Sequence, residues 1–344
     1  MSAPMQVGLV GYGAWGRHHA RAIAGAPSAR LAAIASSGAD AAADWPEAQH
    51  VADWRALLTD PAIEAVFVAV PNFLHAEVAL AALAAGKHVL LEKPMALSLA
   101  DCDRLVGAAR ASGRVLTIGH ELRLSTQWGR MGALIAEGAI GRPMHVNVQL
   151  FRFPYRPGSG GWRYDAARVG SWILEETVHH FDLVFWWLAA SGAPSTIRAD
   201  VLGAPGMPRA LDVTLRFADG ALASINTCVA GFEHHLAVTV VGDGGSMRAS
   251  WSAAMDRAET AHASVALFRG RAAPGERGEA VTFDDSGELH ELAAQAEAAI
   301  RGFRRGEPLV NAAEGRAAVL GCLLAEESAR DGCMLDWPKP PAPV

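Results

Sequence analysis

Near its start the chain reads Val7-Gly8-Leu9-Val10-Gly11-Tyr12-Gly13-Ala14-Trp15-Gly16, an apolar run that leads directly into a G-x-G-x-x-G pattern. In this pattern Gly11 permits a tight turn, and Gly13 lets the backbone approach a pyrophosphate. Gly16 lets the following helix pack closely on the strand, and the amino terminus of that helix attracts an anion. A strand, a glycine turn and a helix in this order predict a dinucleotide-binding unit rather than a merely structural turn. The contacts expected from it are Gly11, Gly13, Ala14, Trp15 and Gly16.

The first third of the chain alternates short apolar runs with alanine-rich helical stretches. The apolar runs are residues 6–10, 31–35, 65–70, 88–91 and 115–118. The helical stretches are residues 14–26, 54–58, 74–85 and 99–112, and the last has Ser98 before it as a cap and Gly113 after it as a stop. Nearly continuous apolar runs are typical of strands that are covered on both faces. The alternation predicts a doubly wound parallel sheet of the Rossmann type over residues 1–122.

Beyond Pro143 the pattern changes to alternating apolar and polar residues, which is typical of strands with one solvated face. The predicted strands are residues 145–153, 210–217, 221–229 and 236–241, with Asp219-Gly220 as a hairpin turn. Helices are predicted at 171–190, 288–305 and 312–330, the last with Asn311 and Glu314 as a capping box. We therefore expect an α+β domain with a large open antiparallel sheet over residues 123–310. A carboxyl-terminal helix and tail, residues 311–344, is expected to pack back on the first domain.

The composition excludes several classes of function. The chain has 344 residues, 51% of them hydrophobic, and a net charge of -6, which is typical of a globular protein of two domains. Without a basic cluster we expect no nucleic acid partner. We find neither a secretory signal pattern nor an apolar window long enough for a membrane span, and we expect a cytoplasmic protein. The four cysteines make no C-x-x-C pair, so we expect neither disulfides nor a metal site, and His234 and His235 are interpreted as surface residues.

Lysine is scarce in this chain. Of the 30 lysine and arginine residues only three are lysines, namely Lys87, Lys93 and Lys339. Lys87 lies in a loop before a strand and Lys339 in a proline-rich tail, and we interpret both as incidental. Lys93 lies where a group that can exchange a proton is useful, which the always-charged guanidinium cannot do at working pH. The scarcity therefore favours a chemical role for Lys93.

The end of the second predicted strand bears on the choice of cofactor. An Asp or Glu is expected there, about 20 residues beyond the glycines, to bind a ribose 2′-hydroxyl. The sequence has Ser36 and Ser37 instead, so that a 2′-phosphate is no longer repelled and both hydroxyls can donate to it. No arginine follows the serines, and Asp40 is the residue that would reverse the preference. We expect NADP or NAD as cofactor, with NADP favoured, and Ser36 and Ser37 among its contacts.

Polar side chains follow the third and fourth predicted strands. The third strand leads into Pro71, Asn72 and His75, and the fourth into Glu92 and Lys93. Because open α/β sheets bind ligands at the carboxyl ends of their strands, we expect all five residues to contact the cofactor. Lys93 can also meet a substrate hydroxyl. The alternative is a solvated lysine that is paired with Glu92.

A second constellation lies on the predicted helix 171–190. Glu175 and His179 are four residues apart and Asp182 follows three later, so an α-helix would place all three on one side. Apolar neighbours would desolvate the imidazole, and such an acid/base pair suits proton abstraction from an alcohol. One alternative is a helix whose carboxylates only favour its amino terminus. Another is a metal site that also uses His180.

With these motifs together, the chain resembles the Gfo/Idh/MocA family of glucose–fructose oxidoreductases and inositol dehydrogenases, almost from end to end. The matching motifs beyond the glycine pattern are Val70-Pro71-Asn72-x-x-His75, Ala85-Gly86-Lys87-His88-Val89-Leu90-Leu91-Glu92-Lys93-Pro94, Glu137-Gly138-x-Ile140-Gly141, Gly161-Trp162-Arg163, the H-x-x-D of His179 and Asp182, and Pro308 with Glu314-Gly315. The E-K-P element together with the helical histidine is quite specific to that family. The resemblance implies NAD(P)-dependent oxidation or reduction at a sugar or polyol carbon.

The resemblance also assigns roles to individual residues. Lys93 would orient and polarise the substrate oxygen, and His179 would take the hydroxyl proton. Four residues before the histidine the family usually has Asp, whereas this chain has Glu175. Where the family often has Asn before an arginine, this chain has Glu121, whose carboxylate would disfavour an anionic substrate and suit a neutral, hydroxyl-rich one. The expected substrate contacts are Glu175, Arg123, Glu121, Arg163, Tyr155 and His180.

Arg152, Tyr155, Arg163 and Tyr164 follow the first strand of the second domain. By residue type alone they either bind substrate hydroxyls or are ordinary interface residues.

Two rival functions stay open at this point. One is a sugar sensor that binds the cofactor without turning it over, although the presence of Lys93 and His179 argues against it. The other is an enzyme that uses a tightly held cofactor for transient oxidation during glycoside cleavage or epimerisation. Whatever the function, one face of the open sheet in the second domain is not covered by the helices of its own domain. We expect a second subunit to pack on that face in a homodimer or homotetramer.

Overall fold

The computed structural model describes residues 3–38, 40–204, 206–231, 233–255, 257–258, 260–271, 275 and 277–338. They form two compact units. The first comprises residues up to Leu124, Arg156–Glu175 and Glu288–Leu320, and the second comprises Ser125–Tyr155, Glu176–Gly287 and the chain from Gly321. The domains expected from the sequence are continuous, whereas each compact unit is assembled from three separate segments. Lys339 and the rest of the expected tail beyond residue 338 lie outside the described residues.

The first unit is built on a six-stranded sheet in which every neighbouring pair is parallel. Its strands are β1 (Met5–Val10), β2 (Ala29–Ala35), β3 (Gln49–Val51), β4 (Ala65–Val68), β5 (His88–Glu92) and β6 (Leu116–Gly119). The helices between them are α1 (Ala14–Gly25), α2 (Asp40–Asp44), α3 (Trp54–Thr59), α4 (His75–Ala84) and α5 (Leu99–Ser112). The strand order is β3-β2-β1-β4-β5-β6, which is that of a doubly wound dinucleotide-binding sheet. The predicted fold class is confirmed.

Apolar residues of the sheet and of three helices form the core of this unit. Val7 and Leu9 of β1 and Phe67 of β4 are completely buried. The later helix α9 (Glu288–Arg305) packs on the same core through Ile300 and Phe303. Helix α9 was assigned by sequence to the second domain, yet its apolar face is covered within the first unit.

Local sequence signals account for several helix ends in the first unit. Ser98 accepts a hydrogen bond from the Asp101 N–H at the start of α5, and Gly113 ends it in the left-handed conformation. Helix α10 (Ala312–Asp331) begins with the predicted capping box, in which the Asn311 side chain accepts from the Glu314 N–H at 3.0 Å. The Glu314 carboxylate accepts the Asn311 N–H in return at 2.9 Å. Strand β3 was not predicted, because it has only three residues and lies at the edge of the sheet.

The second unit is built on a nine-stranded sheet. Its strands are β7 (Pro143–Phe151), β8 (Pro194–Ala204), β9 (Met207–Phe217), β10 (Leu222–Cys228), β11 (His234–Gly242), β12 (Gly245–Ala253), β13 (His262–Arg269), β14 (Glu279–Ala280) and β15 (Leu335–Asp336). The order is β14-β13-β12-β11-β7-β10-β9-β8-β15. The expected sheet was wholly antiparallel, but β7 and β10 pair in parallel. Two α-helices and the β8–β9 hairpin lie between them in sequence, a connection long enough to return the chain in the same direction.

The predicted helix 171–190 is two structures in succession. A π-helical turn, Ile173–Thr177, leads into helix α8 (Val178–Trp187). The remaining helices are α6 (Trp128–Ala136) in the second unit and the short α7 (Ala166–Val169) in the first. Strands β8 and β12 to β15 were not predicted, and β14 and β15 have only two residues each.

Among the described residues, no helix has both the length and the apolar character that a membrane crossing needs. The thiols of Cys102, Cys228, Cys322 and Cys333 are all unbridged.

Candidate active site

The glycine loop between β1 and α1 has the shape that a dinucleotide requires. Gly11 has a φ of +100°, and a side chain there would meet the carbonyl oxygen of Ala69. A side chain at Gly16 would meet the carbonyl oxygen of Gly11. At Gly13, by contrast, no heavy atom lies within 4 Å of the Cβ position, and both Gly13 and Ala14 are exposed. The loop thus leaves an open cradle at the amino terminus of a 12-residue helix, where backbone N–H groups attract phosphate.

Charged side chains gather beside this loop, near the end of β2. Arg17 of α1 binds Asp40 at 2.6 Å and Asp44 at 2.5 Å, both on α2. The Tyr12 hydroxyl donates to Asp44 at 2.9 Å, and burial together with this bond raises the pKa of Tyr12. The group was not predicted, because Arg17 and Asp44 are ordinary helix-surface residues by sequence.

The serines expected to bind a 2′-phosphate lie just after β2. Ser36 is half-buried, and its hydroxyl accepts the Gly38 N–H at 3.2 Å. Ser37 is exposed. The loop therefore offers hydroxyl groups at the place where the sequence predicted them.

A buried histidine joins the loops that follow β4 and β5. The His75 imidazole lies 2.7 Å through Nδ1 from the carbonyl oxygen of Pro94, and 2.9 Å through Nε2 from that of Val70. Burial lowers the pKa of His75. Since both ring nitrogens face backbone oxygens, His75 braces the loops that carry Asn72 and Lys93. Pro71 lies half-buried at the start of the first loop.

Lys93 and Glu175 lie together in the first unit. The Lys93 ammonium donates to the backbone carbonyl oxygen of Glu175 at 2.9 Å. The Glu175 carboxylate accepts from Arg163 Nε at 2.6 Å and from Asn72 Nδ2 at 3.0 Å. Glu175 is 6% exposed, so this carboxylate is held by two donors in a mostly buried place. The structure thus brings together four residues that the sequence singled out separately.

Glu92 lies behind Lys93 and points into the protein. It is 3% exposed, and its carboxylate lies 2.6 Å from Nε2 of His19, a fully buried residue of α1. A Cβ at Gly119 of β6 would lie only 3.0 Å from the same carboxylate, so glycine on the neighbouring strand leaves the Glu92 side chain its room. Glu92 was expected to contact the cofactor, but its carboxylate is bound inside the unit. His19 was missed, because a lone histidine inside a helix is usually a core residue.

Glu121 and Arg123 lie in the turn Glu121–Leu124 that follows β6. Glu121 is 2% exposed, and burial together with the nearby charge of Glu92 raises the pKa of Glu121 well above its usual value. The raised pKa means that this carboxyl holds its proton to a higher pH than an exposed glutamate does. Arg123 binds Glu314 of α10 at 2.7 Å, and its side chain is 9% exposed.

The second unit holds His179, the histidine of the predicted acid/base pair. His179, His180 and Asp182 are all buried on α8. The π-helical turn includes Glu175, so the α-helical spacing that placed Glu175, His179 and Asp182 on one side does not apply across it. Lys93 and Glu175 belong to the first unit and His179 to the second.

A second arginine–glutamate pair follows directly along the chain. Arg152 binds Glu176 at 2.6 Å in the second unit, and its guanidinium lies 4.6 Å from the centre of the Tyr155 ring. Tyr155 is buried, whereas Tyr164 of the first unit is 45% exposed. His234, interpreted from the sequence as a surface residue, is buried edge-on against the Trp251 ring at 5.4 Å, because β11 is an interior strand of the sheet.

Within the described residues, no group of three or more His, Cys, Asp or Glu side chains is arranged to hold a metal ion.

Comparison with known proteins identifies the same two parts of the chain. Residues 5–120 match the model "Oxidoreductase family, NAD-binding Rossmann fold", and residues 128–248 match the "GFO/IDH/MocA C-terminal domain". The protein "Uncharacterized oxidoreductase YdgJ" of Escherichia coli (strain K12) is 37% identical over 195 residues, which are 53% of this chain and 55% of that one. The chain thus spans about half the length of this relative.

Two further proteins extend the similarity. The 1,5-anhydro-D-fructose reductase of Ensifer adhaerens is 34% identical over 225 residues, which cover 62% of this chain and 67% of that enzyme. The solved structure of levoglucosan dehydrogenase in complex with NADH and levoglucosan has a TM-score of 0.79 at 24% identity. That match covers 98% of this chain and all of the other, and it shows the shared fold.

Proposed function

The chain belongs to the Gfo/Idh/MocA family of oxidoreductases, and from this premise we propose that it transfers a hydride between a nicotinamide dinucleotide and a secondary alcohol or ketone carbon of a sugar or polyol. The observation that carries the proposal is the meeting of Lys93, Asn72 and Arg163 at Glu175, in the same unit as the open glycine cradle. A cationic donor beside a dinucleotide site is what a carbinol or carbonyl oxygen requires.

The residues present fit a dinucleotide. Gly13 leaves space for a pyrophosphate, and the first turn of α1 supplies N–H groups to bind it. Ala14, Trp15, Pro71 and Asn72 are proposed as further contacts on the strand-end side of the sheet. When bound, the nicotinamide ring supplies a carbon that accepts or donates the hydride.

In the proposed mechanism Lys93 donates a hydrogen bond to the substrate oxygen and stabilises negative charge on it. His179 takes the hydroxyl proton during oxidation and returns it during reduction. Arg163 and Asn72 fix Glu175, whose carbonyl oxygen in turn orients the Lys93 ammonium. Glu175, Arg123, Glu121, Tyr155 and His180 stay proposed as groups that shape the substrate site.

Two observations bear on the choice between NADP and NAD. The absence of a carboxylate directly after β2 favours NADP, which is the sequence-based prediction. Asp40 and Asp44 around Arg17 leave a net negative charge beside the glycine loop, which acts against a 2′-phosphate. The cofactor assay therefore has to be run with both dinucleotides in parallel.

The test is a panel of sugars and polyols, including myo-inositol, aldoses and 1,5-anhydro sugars, each with NAD and NADP and read at the nicotinamide absorbance. We expect reduction of exchangeable cofactor by at least one polyol or sugar. A protein that binds cofactor but leaves it oxidised with every compound would instead be a sensor. Cofactor that purifies with the protein, together with substrate conversion and no net absorbance change, would favour transient oxidation.

We also propose a homodimer or homotetramer that forms through the nine-stranded sheet, in the cytoplasm. On one face of the sheet, polar side chains of neighbouring strands are joined by hydrogen bonds. Asn147 donates to Ser224 at 2.7 Å, and Asn226 donates to Asp212 at 2.6 Å. Half-buried polar side chains on a broad sheet face are suited to a partner of the same kind. Light scattering at micromolar concentration tests this, and a monomer would contradict it.

A further inference from the structure

A buried histidine and glutamate lie behind Lys93, and the mechanism above does not use them. Nε2 of His19 and Oε1 of Glu92 are 2.6 Å apart, and the side chains are 1% and 4% exposed. The other carboxylate oxygen of Glu92 accepts the backbone N–H of Lys93 at 3.3 Å. One carboxylate therefore connects the helix of the glycine loop with the lysine of the proposed site.

We propose that Glu92 is the buried counter-ion of Lys93, and that His19 holds the Glu92 carboxylate in that position. The inference rests on the proposed function, because it assigns the charge that Lys93 carries when it binds the substrate oxygen. Both residues are positioning residues, since they act on the substrate only through Lys93.

The state of the Glu92 carboxylate follows from its surroundings. Burial alone would raise the pKa of Glu92, but the hydrogen bond from His19 and the attraction of His19 and Lys93 outweigh burial and lower it. Glu92 is thus ionised at neutral pH. Nε2 of His19 must then carry the proton of the 2.6 Å bond, because an ionised carboxylate can only accept.

The other ionisable groups around Lys93 do not replace Glu92 in this role. The carboxylate of Glu175 is bound by Arg163 and Asn72, and Lys93 donates to the backbone oxygen of Glu175. The pKa of Glu121, in the turn after β6, is raised by burial and by the charge of Glu92, which outweigh the attraction of Lys93, so Glu121 holds its proton more readily than Glu92 does. His75, from α4, is buried with a lowered pKa and is neutral.

A fixed counter-ion changes what Lys93 contributes. A lysine beside a buried carboxylate stays protonated, and it offers the substrate oxygen a constant positive charge. The proton that leaves the alcohol then passes to His179 alone. The sequence predicted a Lys93 that exchanges a proton. In the proposed arrangement Lys93 instead keeps its proton throughout the reaction and polarises the substrate oxygen.

The scarcity of lysine makes a direct test possible. Protein grown with [ε-13C]lysine carries label only at Lys87, Lys93 and Lys339, and Lys93→Arg identifies the Lys93 signal. The chemical shift of that carbon follows the ammonium as the pH is raised. We expect its titration midpoint at or above about 10.4, the value of an ordinary lysine, despite partial burial. A wild-type midpoint below about 9 would overturn the proposal without any further variant.

Three variants separate the two roles. Glu92→Gln should lower the Lys93 midpoint by about one pH unit or more, whereas Glu77→Gln, an exposed residue of α4, should leave it unchanged. His19→Ala removes the hydrogen bond that lowers the pKa of Glu92, so it should shift the Lys93 midpoint in the same direction as Glu92→Gln but by less, and reduce kcat by about 10-fold or more. Glu121→Gln should shift the midpoint less than Glu92→Gln. A larger shift in Glu121→Gln would assign the counter-ion to Glu121 and contradict the inference.

The titration needs no substrate, so it is distinguishable from a failure of the proposed function. If no sugar or polyol is turned over, the midpoints of the wild type and of Glu92→Gln still decide the inference. Thermal unfolding and the fluorescence of bound NADH show whether each variant is folded and retains its cofactor site.

Discussion

The Lys93 ammonium donates a 2.9 Å hydrogen bond to the backbone carbonyl oxygen of Glu175, 82 positions away along the chain. The carboxylate of the same glutamate is bound by Arg163 and Asn72. Glu175 therefore binds Lys93 through its backbone carbonyl oxygen, and it binds Arg163 and Asn72 through its side chain. The resemblance implied Asp at this position, and the glutamate found here places its carboxylate on Arg163.

Removal of either proposed catalytic group should abolish most of the turnover. We expect Lys93→Ala and His179→Ala each to lower kcat by about 100-fold or more, because each loses polarisation or proton transfer to the substrate oxygen. Binding of the reduced cofactor, followed by its fluorescence, should stay close to wild type. Arg55→Ala, on an exposed surface of the first unit, is the control. Near wild-type turnover in both variants would rule out the mechanism.

Arg163→Ala should destabilise the protein as well as lower its turnover. The Glu175 carboxylate would lose its charged partner in a place where it is 6% exposed, which costs about 3 kcal/mol in the free energy of unfolding. Arg55→Ala also removes an arginine–glutamate pair, with Glu77, but both side chains are more than half exposed and the expected loss is below about 1 kcal/mol. Urea unfolding measures both, and equal losses would contradict a buried role for Arg163.

Two glycines of the nucleotide loop should respond differently to alanine. Gly13→Ala should leave thermal stability unchanged, because its Cβ meets no atom within 4 Å, yet weaken cofactor binding because it narrows the cradle. Gly16→Ala should lower the melting temperature, because its Cβ would meet the Gly11 carbonyl oxygen. Calorimetry with and without NADH distinguishes the two. Unchanged affinity in Gly13→Ala would show that the cradle does not hold the pyrophosphate.

Asp40→Asn should shift the enzyme toward NADP. The substitution removes one of two carboxylates that bind Arg17, so the guanidinium can turn to a 2′-phosphate. We expect the ratio of kcat/KM with NADP to that with NAD to rise about 3- to 10-fold, a modest change because Asp40 is exposed. Asp331→Asn, at the end of α10, is the control. An unchanged ratio would place Asp40 away from the ribose.

Stability should decline in weak acid partly through His75. The pKa of His75 is lowered by burial from the ordinary 6.5, so the unfolded chain binds a proton that the folded chain excludes. The free energy of unfolding should therefore fall as the pH drops below about 6.5. His75→Gln should show a shallower slope between pH 7 and 5, while His262→Gln, on the surface, should keep the wild-type slope. Identical slopes in all three proteins would exclude His75 as the source.

The sequence predicted those features that depend on local pattern. The parallel sheet, the glycine loop and the capping box of Asn311 follow from periodicity and from residues within a few positions of each other, and the structure confirms them. The sequence also singled out Lys93 as a candidate catalytic residue, because its position at a strand end and the family resemblance both point to it. Its role in turnover stays a prediction.

Other features had no local signal. Lys87 was interpreted as incidental, yet it is buried, and its ammonium donates to the carbonyl oxygens of Asp60 and Ile63, both at 2.7 Å. Burial lowers the pKa of Lys87. Two of the three lysines thus occupy positions where a flexible ammonium has specific oxygen partners.

What the sequence determined by itself is the order of strands and helices and the open cradle at Gly13, because these depend on the backbone preferences of neighbouring residues. Only the tertiary structure decided the partners of Glu175 and Glu92. Hydrogen bonds across 73 to 103 positions depend on which strand ends and helices the fold brings together, and these partners decide whether the effect of burial on a carboxyl is outweighed. Two glutamates that look alike in the sequence, Glu92 and Glu121, for this reason have pKa values shifted in opposite directions, down for Glu92 and up for Glu121.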